Sequence, residues 1–109
     1  MVKIYIDDSR TIPVGFDCYC TTTNDALKTI RRKYKEGNRT FFLDLDHDAG
    51  DPKNATGGDF INVLKNLGQY IDSNKMNDLH VSVHFHSSNP VGVENMRNIC
   101  KDYGWEEIY

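Results

Sequence analysis

The feature that most limits the possible folds is an alternation of short strand-like runs with longer helical segments. Three segments, at about Thr23–Glu36, Asp59–Asp72 and Val93–Tyr103, repeat apolar residues at helical spacing. Each segment lies between two runs rich in β-forming residues, which predicts a parallel sheet whose strands are connected by helices. Such connections are right-handed in nearly all proteins, so few topologies remain.

The strand-like runs give the order of the predicted sheet. They are Lys3–Ile6, Phe16–Thr21, Thr40–Asp46, Leu79–Phe85 and Trp105–Tyr109. The connection Ser9–Gly15 is too short for a full helix, and the chain stops before a helix could follow the last strand. We therefore predict one α/β domain over residues 1–109, with a three-layer, five-stranded parallel sheet in the order 2-1-3-4-5. It lacks the first and last helices of the doubly wound pattern, and Thr23 or Asn24 caps its first helix.

Charge and composition exclude several functional classes. The net charge of -3 argues against binding of duplex nucleic acid by bulk charge, but it leaves room for a small phosphate ester. No apolar run approaches the roughly 18–20 residues of a membrane helix, and the amino terminus turns acidic too early for a signal peptide. We expect a cytoplasmic protein without membrane association, with Cys18, Cys20 and Cys100 as free thiols. The oligomeric state is not readable from the sequence.

Polar side chains follow three of the predicted strands at the point where each strand ends. They are Asp7, Asp8, Asp46, His47, Asp48, His86, Ser87 and Asn89, with Asp44 one step earlier on the face of Asp46. Ligands of open parallel sheets bind beyond the carboxyl ends of the strands, so this clustering predicts a site. We assign functional roles to His47 and His86. His80 and His84 lie in or beside a buried-looking strand and are expected to be structural.

The carboxylates predict a bound cation. Nearby carboxylates repel one another, and a divalent ion is the simplest remedy. Oxygen ligands favour magnesium, manganese or calcium over zinc, and the histidines make manganese or a transition metal plausible. We expect magnesium or manganese, with Asp7, Asp8, Asp46 and Asp48 as candidate ligands. Arg10 either grips a phosphate with its planar guanidinium or forms a surface ion pair.

Four motifs carry a resemblance to a known family. They are Asp7–Arg10 (DDSR), Leu45–Gly50 (LDHDAG), Thr56-Gly57, and His86–Gly92 (HSSNPVG) with Asn95-Met96. The chain resembles the cyclic-phosphate-processing receiver-like family, which has a receiver or flavodoxin-like fold. The resemblance implies work on a cyclic phosphate, either a nucleotide or an RNA 2′,3′-cyclic end, and it covers the site residues named above, including Arg10. Two positions depart from the family pattern: Ala49 replaces a leucine, and Asp44 replaces a small hydroxyl residue and adds a carboxylate behind the site.

Three hypotheses about function follow. In the first, the domain is an enzyme that opens a cyclic phosphodiester with a metal ion. Asp46, His47 and His86 are then catalytic, and Arg10, Ser87 and Asn89 hold phosphate oxygens.

The second hypothesis is a signalling receiver in which Asp46 accepts a phosphoryl group and Ser87 reports it. A receiver needs a lysine at the end of its fifth strand, and Trp105–Tyr109 contains none. The third hypothesis is a module that binds a cyclic nucleotide without opening it. Its base would stack on aromatic residues such as Tyr5, Phe16, Tyr19 and Phe85, although aromatic residues on strands more often belong to the core.

Overall fold

A computed structural model describes residues 1–8, 13–46 and 60–109. Its elements are β1 (Val2–Ile6), β2 (Cys18–Cys20), α1 (Thr23–Lys35), β3 (Thr40–Leu45), α2 (Ile61–Asn74), β4 (His80–Phe85), α3 (Pro90–Tyr103) and β5 (Glu106–Glu107). The predicted alternation of strands and helices is present, with boundaries shifted by a few residues. The two edge strands differ most from the predicted lengths: β2 has three residues and β5 has two.

The five strands form one parallel sheet in the order β2-β1-β3-β4-β5, which confirms the predicted order and direction. The connections through α1, α2 and α3 all move across the sheet in the same direction. Right-handed connections that run the same way place their helices on the same face. The helices also contact one another in sequence, α1 with α2 and α2 with α3.

In the described residues, the three helices therefore form one layer on one face of the sheet. The β1–β2 connection runs in the opposite direction, so a helix in it would cover the second face of the sheet. Residues 13–17, the described part of that connection next to β2, are not helical.

The hydrophobic core lies between the sheet and the helices. Alternate strand residues point to the helices and are buried: Val2, Ile4, Ile6, Phe41, Leu43, Leu45, Val81 and Val83. They form one cluster with apolar helix residues such as Ile30, Leu64 and Met96. Full burial of each such side chain stabilises the fold by roughly 1.5–3 kcal/mol. We call this the helix face.

The intervening strand residues point to the other side of the sheet, which we call the open face. It carries Lys3, Tyr5, Tyr19, Phe42, Asp44, Ser82 and His84, all of them half-buried except Tyr19, which is exposed. Because side chains alternate along a strand, each strand contributes to both faces.

The cap of α1 and the start of α3 differ from the predictions. The side chain of Thr22, rather than Thr23 or Asn24, caps α1 by accepting a hydrogen bond from the Asp25 backbone N–H at 3.1 Å. Helix α3 begins at Pro90, three residues earlier than predicted, and the Asn89 side chain caps it by accepting from Gly92 N–H at 3.0 Å. Proline suits the first helical position because its missing N–H is not needed there.

An aromatic pair lies at the amino-terminal edge of the sheet, opposite the carboxyl ends of the strands. The rings of Tyr103 and Trp105 stack with centroids 4.9 Å apart, where α3 gives way to β5. Gly68 of α2 lies against the Tyr103 ring, and a Cβ at this position would collide with it. Glycine therefore lets α2 and α3 approach closely at this point.

Candidate functional site

The fold brings three of the predicted site residues into one row. Asp7, Asp46 and His86 each follow the last residue of β1, β3 and β4 respectively. The Asp46 N–H donates to the Ile6 carbonyl at 3.1 Å, and the His86 N–H donates to the Leu45 carbonyl at 3.2 Å. The parallel register therefore continues one step beyond the strands. This places the three side chains at the carboxyl edge of the sheet, where the sequence predicts a ligand site.

The His86 ring forms the centre of this cluster. Its Nδ1 bonds to Asp44 Oδ1 at 2.6 Å, and its Nε2 bonds to Asp7 Oδ2 at 2.9 Å. One face of the ring stacks on Tyr5, with centroids 4.7 Å apart and planes 7° from parallel. The imidazole is thus held on three sides, and it reaches from β4 across β3 to contact β1.

Hydrogen bonding and charge favour the protonated form of this ring. An imidazole donates from both nitrogens only as the imidazolium, and both nitrogens of His86 face carboxylates. Burial lowers the pKa of His86, but the hydrogen bonds and charges of Asp44 and Asp7 outweigh that effect and hold the pKa above its ordinary value. The side chain is 20% exposed, and those of Asp7 and Asp44 are 11% and 15% exposed. Both carboxylates therefore stabilise a positive charge on His86.

Partial desolvation and the carboxylates of the cluster also raise the pKa of two neighbouring groups, Asp8 and Tyr5. Partial desolvation, a hydrogen bond with Asp7 and the charge of Asp7 raise the pKa of the Asp8 carboxyl. Partial desolvation and the charges of Asp7 and Asp44 raise the pKa of the Tyr5 hydroxyl. A further positive group would be stabilised at this edge of the sheet.

The predicted metal site is a separate question. Asp7, Asp8 and Asp46 offer the carboxylate oxygens that magnesium and manganese prefer. Within the described residues, no group of three or more His, Cys, Asp or Glu side chains is arranged to hold a metal ion. One reason is that an Asp7 oxygen is turned toward His86. The fourth candidate ligand, Asp48, lies outside the described residues, so the metal stays a prediction.

The predicted phosphate-binding residues lie at the start of α3. Ser87 Oγ accepts a hydrogen bond from the Asn89 N–H at 3.1 Å, and the Asn89 side chain caps the helix. Both residues therefore shape the turn that follows His86 and direct the amino-terminal end of α3 toward the site edge. This end carries the positive pole of the helix dipole. Arg10 and His47, like Asp48, lie outside the described residues.

Two residues that contact His86 were not predicted to do so. Asp44 was predicted to be an additional carboxylate behind the site, and it makes the shortest contact to the imidazole. Tyr5 was weighed as a core aromatic residue, and its ring stacks on His86 instead. The available signal was the two-residue step from Asp44 to Asp46, which places both on the same side of β3.

The other histidines on β4 differ from each other. His84 Nδ1 bonds to the carbonyl of Ile108 at 2.8 Å, so it anchors the residue after β5, in agreement with its expected structural role. His80 is exposed at the start of β4 instead of lying in a buried strand. A cavity of about 500 Å³ adjoins His80 and Trp105, at the edge of the sheet opposite the site. None of the predicted site residues lines it.

The fold and the acidic carboxyl edge together define a receiver-like domain. Residues 2–102 match the family of cyclic-phosphate processing receiver domains. The match covers most of the chain, so the chain belongs to that family. No curated protein and no solved structure shows detectable similarity to it.

The three cysteines, Cys18, Cys20 and Cys100, are free thiols. Among the described residues, no helix combines the length and the apolar composition needed to cross a membrane.

Proposed function

We propose that this domain hydrolyses a cyclic phosphodiester, carried by a nucleotide or an RNA end, to a phosphomonoester. The observation that carries the proposal is the position of His86, held between Asp44 and Asp7 at the carboxyl edge of the sheet. Membership of the family supplies the cyclic phosphate as the substrate class. The histidine supplies a group that transfers protons near neutral pH.

The reaction assigns distinct tasks to the two sides of the imidazole. A water oxygen attacks phosphorus and passes its proton to a base, the role open to His47. The bond from phosphorus to one ribose oxygen breaks, and that oxygen takes a proton from His86. Asp44 holds Nδ1 and fixes the orientation of the ring, as the carboxylate partner of a catalytic histidine does. Nε2 then exchanges its contact with Asp7 for the leaving oxygen and donates the proton. Such proton transfer contributes roughly a hundredfold to ten-thousandfold in rate.

The charge of the substrate requires further positive groups. A divalent cation held by Asp7, Asp8 and Asp46 would neutralise the phosphoryl oxygens and lower the pKa of bound water. The Ser87 hydroxyl and the amino-terminal end of α3 lie at the same edge and would donate to phosphate oxygens. Arg10, Asn89, His47 and Asp48 keep the roles predicted for them.

A turnover assay tests the proposal directly. Wild-type protein is incubated with 2′,3′-cyclic nucleotides in the presence of EDTA, magnesium, manganese or calcium, and the phosphomonoester product is measured. We expect product with magnesium or manganese. Asp46→Asn keeps the shape but removes a ligand charge, so it should weaken metal binding and turnover together. Binding without opening would favour the binding module, and neither binding nor opening would reject the substrate class.

Melting temperatures test the metal separately. An ion that binds the folded state stabilises it by about 2.7 kcal/mol at a hundredfold excess over its dissociation constant. Identical melting curves with EDTA and with each metal would reject the metal ion.

Acetyl phosphate tests the signalling receiver. Stoichiometric phosphorylation of Asp46 would favour that function over hydrolysis.

A further inference from the structure

Aromatic rings gather on the open face directly beside His86. The centroids of Tyr5 and Phe16 lie 5.2 Å apart, and those of Phe16 and Phe42 lie 6.3 Å apart with nearly parallel planes. Tyr19 lies 6.5 Å from Tyr5. We call these four residues, Tyr5, Phe16, Tyr19 and Phe42, the aromatic patch. Phe85, which was also considered for stacking, packs against the core on the helix face.

The aromatic patch is separate from the hydrophobic core. The core lies on the helix face and includes none of these four residues. Tyr19 is 42% exposed, and the other three rings are half-buried. Contiguous exposed apolar surface that is rimmed by polar groups is a candidate binding surface. Here the rim includes Lys3 and Asp44 of the same sheet face.

The patch is continuous with the proposed catalytic cluster. Tyr5 belongs to both, because its ring stacks on His86 at 4.7 Å. Phe42 precedes Asp44 by two residues on the same face, which is about 7 Å along a strand. A base whose own cyclic phosphate is held at the Asp7–Asp46–His86 row would therefore lie over the patch. Planar bases stack on aromatic side chains, and sheet faces that present such residues are a recurring way to bind unpaired bases.

We propose that the aromatic patch binds the nucleobase of the substrate. This inference rests on the proposed function and assigns the part of the domain that recognises the base of its substrate, a nucleoside 2′,3′-cyclic phosphate or the 3′ end of single-stranded RNA. Stacking on aromatic rings tolerates all four bases, so the patch selects for a base without selecting its identity. A base-free cyclic phosphate gains nothing from the patch.

The experiment compares two substrates and three variants. The substrates are a nucleoside 2′,3′-cyclic phosphate and the base-free 1,2-cyclic phosphate of glycerol. Phe42→Leu and, independently, Tyr19→Leu remove a ring from the patch without touching His86. Tyr70→Leu is the matched control, since it removes a half-buried ring from α2 on the other side of the sheet. Melting temperatures establish that each variant is folded.

We expect the wild-type protein to prefer the nucleotide, and the patch variants to lose that preference. Phe42→Leu should raise KM for the nucleotide by roughly 5- to 150-fold and leave the glycerol substrate unchanged. Tyr70→Leu should change neither. Equal use of both substrates by wild type would overturn the base site while the hydrolytic function stands.

If neither substrate is opened, the hydrolytic function is rejected. The base site can still be tested by a binding measurement. Titration with a nucleoside 3′-monophosphate, followed by NMR of the aromatic signals, should then shift those of Phe42 and Tyr19. Unshifted signals would overturn the base site. Self-association of the wild type that Phe42→Leu abolishes would assign the patch to a second copy and would also overturn it.

Discussion

The two faces of the sheet are built from the same strands but differ in burial and in chemistry. On β3, Leu43 and Leu45 point to the helices and are fully buried, whereas Asp44 lies between them and contacts His86 on the open face. One face holds the fold together and carries almost no polar groups. The other carries Asp44, His84 and the aromatic patch. Because side chains alternate between the two faces, one strand contributes residues to the hydrophobic core and to the candidate site.

The largest expected effect is on turnover, and it distinguishes two histidines of the open face. His86→Gln removes the proton-transfer group, so we expect turnover of a 2′,3′-cyclic nucleotide to fall by roughly a hundredfold to ten-thousandfold. His84→Gln is the matched control, two residues earlier on the same strand, and should stay within a few-fold of wild type because His84 contacts Ile108. Steady-state kinetics measures both. Equal losses would mean that the open face acts as a whole and that His86 has no special role.

The next largest effect is on the free energy of unfolding, measured for two neighbouring residues that point to opposite faces of the sheet. Leu43→Ala removes a fully buried side chain and should lower the free energy of unfolding by about 2–5 kcal/mol. Phe42→Ala removes a larger side chain, yet it should cost less, about 1–2 kcal/mol, because Phe42 is half-buried on the open face. Urea unfolding followed by circular dichroism measures both values. A greater cost for Phe42→Ala would show that the open face is a second core.

The smallest effect concerns the attachment of β5 to the helix layer. Arg97 of α3 donates two hydrogen bonds to Glu107, at 2.6 and 2.9 Å. The hydrogen bond from Arg97 lowers the pKa of Glu107, although burial opposes it. The folded-state pKa therefore lies below the unfolded one. This contribution to stability is present above the ordinary glutamate value of about 4.3 and is lost as the pH falls through the folded-state value.

Glu107→Gln tests this contribution across pH. The variant should be less stable than wild type at neutral pH, and the difference should shrink as the pH falls from about 6 to about 3. Glu106→Gln, the exposed neighbour, should show little difference at either pH. Thermal melts at several pH values provide the measurement. A difference that is constant with pH would assign the effect to packing.

The strand order could be predicted because it depends on local signals. Each helical segment lies between two strands, and the short Ser9–Gly15 connection identifies the missing helix. The face on which the helices lie follows from one more step, which is that right-handed connections running in one direction put their helices on one face. The helix starts at Thr22 and Asn89 were missed because several Thr, Ser and Asn residues compete as caps at both places. The choice among them depends on backbone geometry.

The site could be predicted in part. Asp7, Asp46 and His86 lie at strand ends, so topology alone brings them to one edge. The role of Asp44 could not be predicted, because it depends on the His86 side chain reaching back across β3, and residue spacing does not encode that direction. The same reach brings Tyr5 against the ring. The metal was predicted from carboxylate repulsion, and two of the carboxylates, Asp44 and Asp7, make hydrogen bonds to His86.

The Tyr103–Trp105 pair gives the domain a built-in optical reporter. Trp105 is the single tryptophan of the chain, and it stacks on Tyr103 at the edge remote from His86. We expect its emission to change when α3 separates from β5, and to change little when a ligand binds at the carboxyl edge of the sheet. A change in Trp105 emission would therefore signal loosening of the fold at this edge, without any added label.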